Sequence, residues 1–395
     1  MKSDVAPAAV DVAIVGAGFS GTTMAAQLVR RGLSVALVEG HGRAGQGIAY
    51  STRDPVHLLN VPAAKMSAWP EQPDDFVDSG HDSTAFAPRR EFGAYLGAIL
   101  VAAVAAGVKL VAGQAMSAVR EAGTWQVALA DGSRLAARAL VLAQGNQPPE
   151  PMRVGDGIDA ALFVNNPWGP EAQAAVARLV ATGGDALILG TGLTMVDMVL
   201  SLDAAGHQGR ILALSRRGQM PRGHAPHEAM PVDWDEVPQG DVRALTKWLR
   251  ARSGSGWRGA VDALRPHAQA LWRRFDAGQQ RRFLRHARPY WDVHRHRIAP
   301  QVAARLKDLI GEGRLVLGNP VRRIAEDLCA RLTVLLDLGL GYLTLERSTP
   351  TLSPGELQRF GPFEARRHRP RRQPFAAEHE PQDNKKRTRS AARPG

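Results

Sequence analysis

Three glycines near the start of the chain, Gly16, Gly18 and Gly21, have the spacing of a loop that holds the pyrophosphate of a dinucleotide. In such a loop the first glycine allows a tight turn, the second lets the backbone approach the pyrophosphate, and the third lets the helix pack close to the strand. The following helix N-terminus offers N–H groups and a positive dipole to the phosphates. Glu39 ends the next apolar run, where a carboxylate accepts hydrogen bonds from a ribose and repels a 2′-phosphate. These residues predict a site for FAD or NAD rather than for NADP.

A second glycine loop, with Gly190 and Gly192, also follows an apolar run, although Met195 takes the place of its third glycine. Where the first unit has its acid, this one has two arginines, Arg216 and Arg217. Guanidinium groups bind phosphate in bidentate fashion, so this pair would hold a 2′-phosphate. The second loop therefore predicts NADP(H) rather than NAD(H), with two solvated arginines at a strand end as the alternative.

Two dinucleotide sites on one chain imply a redox reaction, in which NADPH delivers hydride to a flavin and the flavin passes electrons to a substrate or to oxygen. The candidates for catalytic substrate chemistry are His294 and His296, as proton donors or anchors. Arg295 and Arg297 would hold an acidic group, and the alternative is a structural basic loop. Histidines at i and i+2 do not share a helix face, so we expect no metal pair. No residue identifies the small-molecule substrate.

The elements that position these residues repeat along the chain. Residues 11–39 and 186–215 each have the order strand, glycine loop, helix, strand, which is a βαβ unit. Between them, Asp131-Gly132 predicts a hairpin turn, and residues 235–310 are predicted to form a helical insertion. The pattern as a whole predicts an α/β protein with two doubly wound, Rossmann-like dinucleotide-binding domains.

The composition narrows the class of protein further. The 395 residues carry 50 Lys and Arg against 38 Asp and Glu, a net charge of +12. The single cysteine excludes a disulfide framework and a thiolate zinc site, and it is compatible with a reducing cytoplasm. No metal site, targeting segment or membrane association is expected. The longest uncharged stretch, residues 92–108, is too short to span a bilayer and is predicted to be a packed helix.

The C-terminal residues 360–395 hold ten Lys and Arg but only four acids, so they contribute half of the charge excess. They are Pro-rich and nearly without aliphatic residues, which predicts a disordered basic tail. Such a tail binds nucleic acid or anionic membrane without specificity. We therefore expect no specific nucleic-acid partner, and a solvated tail is the simpler interpretation.

Several further motifs resemble those of the bacterial FAD/NAD(P)-binding flavoproteins of the two-dinucleotide-domain type, which are distant relatives of the flavin N-hydroxylases. The resemblance covers about residues 10–320. It rests on motifs that occur in the order of that family: Gly16–Gly21, Gly45–Ser67, Pro88–Leu96, Gly190–Asp197 and Trp291–Pro300.

The resemblance implies particular contacts with cofactor. It implies that the first loop and Glu39 bind FAD, with the segment Asn60, Val61 to Met66 near the flavin. It also implies that the Gly145 segment crosses from the FAD domain toward the second domain. Independently of the resemblance, Arg89 and its neighbour Arg90 are candidates to meet cofactor phosphates.

From Leu328 to Arg359 the chain resembles a different family, the ATPase component of excinuclease ABC. The segment Leu352–Arg359 is similar to the ABC signature loop, with Pro354 where glycine is usual. In such ATPases this loop contacts a γ-phosphate presented by the opposite nucleotide site, and this chain has no G-x-x-x-x-G-K-[S/T] loop of its own. No independent ATPase is predicted. The strand expected to complete the FAD domain is missing here, so a fused, frameshifted or mis-assembled gene would produce such a join.

These observations predict four segments and one leading function. The segments are an FAD-binding domain at 1–165, an NADP-binding domain with the helical insertion at 166–320, an ABC-signature-like fragment at 321–359 and the tail at 360–395. The leading function is an FAD-dependent oxidoreductase, of monooxygenase type, reduced by NADPH. The alternatives are a catalytically incomplete nucleotide-binding remnant and a DNA-associated excinuclease-like fragment.

Overall fold

The structure, a computed structural model, describes residues 9–146, 149, 150, 162–254 and 256–320. The strands are β1 (Val10–Val15), β2 (Val35–Glu39), β3 (Lys109–Ala112), β4 (Ala115–Glu121), β5 (Thr124–Leu129), β6 (Arg134–Leu142), β7 (Ala186–Leu189), β8 (Ile211–Leu214) and β9 (Leu315–Gly318). The helices are α1 (Phe19–Val29), α2 (Gly47–Tyr50), α3 (Asp75–Asp78), α4 (Arg89–Ala105), α5 (Pro170–Thr182), α6 (Leu193–Ala204), α7 (Val242–Ser253), α8 (Trp257–Leu264), α9 (Ala268–Arg274), α10 (Ala277–Arg282), α11 (Arg288–Arg295) and α12 (Pro300–Gly311). A π-helical turn, Phe283–Ala287, joins α10 to α11.

The first sheet has the strand order β3-β2-β1-β6-β5-β4. Strand β6 connects the parallel and antiparallel parts of this sheet. It runs parallel to β1, with Val12 opposite Ala139, and antiparallel to β5, with Trp125 opposite Ala137. The hairpin between β5 and β6 turns at Gly132, which has a φ of +84°, as the sequence predicts. The apolar faces of α1 and α4 cover the parallel strands, with Phe92 and Leu96 among the most buried side chains.

The predicted packed helix is α4, which begins three residues earlier than the uncharged stretch. One face is buried, while Val101 on the opposite face is 70% exposed. In the part of the chain that the structure describes, no helix has the length and apolar character needed to cross a membrane.

The second sheet has the order β7-β8-β9, and all its strands are parallel. Helices α6 and α12 pack against it through Val199, Leu306 and Leu309, which are fully buried. Strand β9 is not anticipated by the sequence reading, because its four residues are too few to show a period. The two sheets confirm the predicted α/β fold.

The insertion predicted at 235–310 is helical and contains α7 to α12. Among its aromatic residues, Phe275 is buried and Trp248 packs in a small core around Leu264. Trp272 is instead 37% exposed. The chain divides into one unit ending at Pro320 and another from Val321 to Gly395. The predicted fragment at 321–359 and the tail at 360–395 lie outside the described residues, and the boundary near 165 stays a prediction.

Candidate dinucleotide-binding sites

The first glycine loop lies at the carboxyl end of β1, and two of its glycines are required by close packing. Gly16 has a φ of +103°, and a Cβ there would overlap the carbonyl oxygen of Ala143, which follows the neighbouring strand β6. A Cβ at Gly21 would overlap the carbonyl oxygen of Gly16, so this glycine allows α1 to start directly behind the turn. These are the roles predicted for the first and third glycines.

Gly18 differs from its neighbours, because the protein itself leaves room for a small side chain there. A Cβ at Gly18 would lie 3.5 Å from Cα of Gly47, an ordinary contact distance. Gly18 is also the N-cap residue of α1, and no side chain accepts a hydrogen bond from the first turn. The positive end of this helix is therefore left to water or a ligand, which is the arrangement of an anion site.

The carboxylate of Glu39 faces this loop. Its Oε2 accepts a hydrogen bond from the Ala17 N–H at 3.2 Å, and its Oε1 accepts one from the His41 N–H at 2.7 Å. Glu39 thus lies beside the glycine turn, at the position predicted for ribose recognition. Gly45 braces the same turn by donating its N–H to the carbonyl oxygen of Ala17 at 2.7 Å.

The segment implied to lie near the flavin is fixed by contacts on both sides. The carbonyl of Asn60 accepts a hydrogen bond from Nε2 of His224 at 2.9 Å, Val61 is half-buried, and Met66 packs against the first core. Gly145 follows β6 with a φ of +66°, and a Cβ there would meet no atom within 4 Å. No contact between these residues and a cofactor is tested, so their binding roles stay predictions.

The second glycine loop is more open than the first. Gly190 has a φ of +119°, yet a Cβ there would meet no atom within 4 Å, because β7 is an edge strand among the described residues. A Cβ at Gly192 would also meet no protein atom within 4 Å. Gly192 caps α6 without any side-chain hydrogen bond. The side chain of Met195 fills the core beneath the helix instead of colliding with the turn, which explains why the third glycine is dispensable.

A groove of about 560 Å³ opens beside this second loop. Its floor includes Gly192 and the two predicted arginines, and its opposite wall comes from the π-helical turn and the start of α11. Arg216 is exposed. Arg217 donates to the Tyr290 hydroxyl at 3.4 Å and to the Arg285 carbonyl at 3.2 Å, and its guanidinium carbon lies 5.2 Å from the centre of the Tyr290 ring. The sequence pattern predicts Arg216 and Arg217 at this site but does not indicate the opposite wall.

His294 and His296 lie at the end of α11 and are both half-buried. Nδ1 of His294 donates to the Tyr290 carbonyl at 2.7 Å, so its Nε2 is the free acceptor of a neutral ring. Nε2 of His296 accepts from Arg295 at 3.1 Å. Burial, reinforced by nearby arginines, lowers the pKa of both rings below the usual 6.5. This downward shift in pKa favours the neutral form of both rings, which suits anchoring or proton acceptance better than proton donation.

The expectation that Arg297 holds an acidic group of the substrate is wrong. Arg297 is 1% exposed, and its guanidinium makes two hydrogen bonds to the Asp262 carboxylate, at 2.7 and 3.0 Å. It also donates to the carbonyl oxygen of His294 at 2.9 Å. Its acidic partner belongs to the protein, on α8, and its role is structural.

Arg89, a candidate to bind a cofactor phosphate, instead has an acidic partner within the protein. It forms an ion pair with Asp197 of α6 at 2.9 Å, while its neighbour Arg90 is exposed. Burial raises the pKa of Asp197 against the opposing charges of Arg89 and His57. Nε2 of buried His57 lies 2.8 Å from Ser201 Oγ. Two polar contacts therefore join the part of the chain that contains the first glycine loop to helix α6, which follows the second glycine loop.

An N-terminal part of the chain matches a known protein family. Residues 13–147 match a family model described as FAD-NAD(P)-binding. The matched range contains the first glycine loop, Glu39 and Gly145. This confirms the flavoprotein resemblance for that part of the chain, and the family description agrees with the two predicted cofactors, FAD and NADP.

Solved structures of flavin enzymes are also similar to this chain, which spans less than half the length of each. OTEMO in complex with FAD and NADP is 22% identical, with a TM-score of 0.40, over 54% of this chain and 39% of that one. Oxidized steroid monooxygenase bound to NADP is 21% identical, with a TM-score of 0.40, over 57% and 40%. A cyclohexanone monooxygenase mutant from Rhodococcus sp. Phi1 bound to NADP+ is 18% identical, with a TM-score of 0.41, over 63% and 44%.

The second resemblance is confirmed by a short and close match. A stretch of 51 residues is 87% identical to the UvrABC system protein A of Paucimonas lemoignei. It covers 12% of this chain and 7% of that protein. The match is longer than the 32-residue segment Leu328–Arg359 on which the sequence resemblance rests.

Proposed function

We propose that the chain is an NADPH-dependent flavin oxidoreductase, of monooxygenase type, that acts on a small molecule. One observation carries the proposal: two glycine loops open uncapped helices at the ends of parallel strands, with a carboxylate beside one and two arginines beside the other. A carboxylate tolerates a ribose with free hydroxyls, and arginines attract a 2′-phosphate. The pair of loops thus favours FAD at the first and NADPH at the second.

The residues present fit these two groups. Backbone N–H groups at the start of α1 and α6 would hold the pyrophosphates, because neither helix is capped by a side chain. Glu39 would hold the ribose of FAD, and Arg216 with Arg217 would hold the 2′-phosphate of NADPH. When bound, the two cofactors supply hydride transfer and electron delivery to a substrate or to oxygen.

In this proposal His294 serves the substrate. Its Nδ1–H is engaged by the Tyr290 carbonyl, so Nε2 is a proton acceptor of fixed orientation. His296 is the less suitable base, because its Nε2 already accepts from Arg295. A single thiol and the use of NADPH fit a cytoplasmic location, which is part of the proposal.

The proposal is tested with purified full-length protein. We expect flavin absorption at close to one equivalent per chain, and faster flavin reduction by NADPH than by NADH in stopped-flow measurements. The variant Arg216→Gln/Arg217→Gln should lose this preference while keeping its flavin. Equal rates with the two nucleotides in the unmodified protein would contradict the assignment of the second loop.

The catalytically incomplete remnant remains the second candidate because of the UvrA-like segment. A join at that point replaces the strand that the flavoprotein resemblance places at the end of the FAD domain. The remnant would bind nucleotide without retaining flavin. Protein that is folded, binds NADP+ in calorimetry and shows no flavin absorption after reconstitution would favour this candidate over the oxidoreductase.

A further inference from the structure

The wall of the groove that comes from the helical insertion carries Arg285, His286 and Asp292, and Asp292 is paired with Arg288 at 3.2 Å. Residues 241–300 contain 14 Lys and Arg and four Asp, a larger local excess of positive charge than that of the C-terminal tail. Arg285 and His286 of the π-helical turn line the groove together with Arg216. In the described part of the chain, none of these three side chains forms an ion pair with a carboxylate. Among the described residues that line the groove, Arg216 and Arg285 are guanidinium groups without an acidic partner, and such groups attract a multiply charged anion.

The backbone of the same turn holds Arg217 in place. Pro289 has no N–H and so cannot donate to the Arg285 carbonyl, its partner four residues earlier in an ordinary helix. That carbonyl accepts from the Arg217 guanidinium instead, and Tyr290 contacts the same guanidinium with its ring and hydroxyl. The irregular π-helical turn thus fixes an arginine of the nucleotide loop, and such turns are frequent at functional sites.

We infer that the π-helical turn is the second half of the 2′-phosphate site: Arg285 and His286 bind the phosphate from the helical side, opposite Arg216. Pro289 and Tyr290 are positioning residues that aim Arg217. The inference rests on the proposed function, because it takes the second loop to bind NADPH. It assigns discrimination between NADPH and NADH to the helical insertion as well as to the end of β8.

The test measures binding of NADP+ and NAD+ to the full-length protein by calorimetry. The variant Arg285→Gln should weaken NADP+ binding about tenfold or more, since a charge-assisted hydrogen bond is lost, and leave NAD+ binding unchanged. The matched control is Arg282→Gln, an exposed arginine on α10 that does not line the groove. The control should bind both nucleotides as the unmodified protein does.

The positioning role has its own readout. Tyr290→Ala should weaken NADP+ binding without affecting NAD+, and Tyr290→Phe should recover most of the loss because the ring contact with Arg217 remains. All variants are first matched by melting temperature, so a folding defect is not mistaken for lost recognition.

These measurements distinguish failure of this inference from failure of the proposed function. If the unmodified protein binds NADP+ and NAD+ equally, the NADPH assignment itself fails. If Arg216→Gln/Arg217→Gln abolishes a clear NADP+ preference and Arg285→Gln keeps it, only the inference is overturned.

Discussion

Gly18 and Gly47 approach each other through backbone atoms beside the uncapped start of α1. The protein leaves an ordinary 3.5 Å between a Cβ at Gly18 and Cα of Gly47, whereas a Cβ at Gly47 would lie 3.0 Å from Cα of Gly18 and would require a φ of +59°. A Cβ at position 18 is therefore compatible with the fold. It is not compatible with a pyrophosphate approaching the same backbone.

We predict that Gly18→Leu folds but does not retain flavin, because its side chain occupies the approach to the loop. Flavin content per chain, read by absorption after purification, checks this against the melting temperature of the same sample. A suitable control is Gly97→Ala on α4, where a Cβ would meet no atom within 4 Å outside the helix itself. An unchanged flavin content in Gly18→Leu would refute the assignment of the first loop.

At the scale of elements, one buried ion pair ties α8 to the chain that follows α11. Arg297 is 1% exposed and Asp262 about a quarter exposed, and His227 lies 2.9 Å from the same carboxylate. Burial opposes ionisation of Asp262. The hydrogen bonds and charge of Arg297, with Arg265 and His227, outweigh it, so the pKa of Asp262 lies below 3.8.

We predict that Asp262→Asn lowers the free energy of unfolding by about 3 kcal/mol at pH 7, since it leaves Arg297 buried without a counter-charge. Because the pKa of Asp262 is lowered in the folded state, this contribution is fully present above pH 3.8 and is lost as the pH falls through the folded-state pKa. Urea unfolding at pH 7 and at successively lower pH should show the difference between the two proteins narrowing.

The control for this variant is Asp185→Asn, which breaks an exposed pair with Arg210 whose side chains are 54% and 73% exposed. Solvent screening leaves such pairs with little effect. If the two variants lose the same free energy of unfolding, the ion pair between Arg297 and Asp262 does not stabilise the fold as its geometry implies.

Sequence reasoning finds elements whose cause is local and misses those whose cause is a distant partner. The glycine spacing and the acid at Glu39 predict the first loop because each residue acts on its immediate neighbours. The role of Arg297 is misassigned because its carboxylate partner lies 35 residues away on another helix. The wall formed by Arg285 and Tyr290 is missed for the same reason, since nothing near position 217 indicates which helix will face it.

At the scale of the whole molecule, the described fold ends close to where the resemblance changes family. The last described strand, β9, ends at Gly318, and the excinuclease-like segment begins near Leu328. Both sheets and both glycine loops therefore lie ahead of that segment.

We predict that limited proteolysis of the full chain leaves a stable fragment of about 320 residues that keeps its flavin, because the residues that form both loops and both cores lie within it. Mass spectrometry checks the length of the fragment, and its absorption spectrum checks that the flavin is retained. Loss of folding or of flavin when residues 328–395 are removed would show that the appended segment has replaced the missing strand of the FAD domain.

The polar contacts between the part of the chain with the first glycine loop and the part with the second also affect where recombination of the gene would be tolerated. Arg89 pairs with Asp197, His57 contacts Ser201, and His224 reaches the Asn60 carbonyl, so each link joins residues far apart in the sequence. A crossover that brings in a foreign second half would leave the partly buried Arg89 without its carboxylate, at a cost of about 3 kcal/mol, a sizeable part of a domain's stability. A crossover after Pro320 separates none of these pairs. Recombination after Pro320 should therefore be tolerated more readily than recombination that replaces either half of the chain.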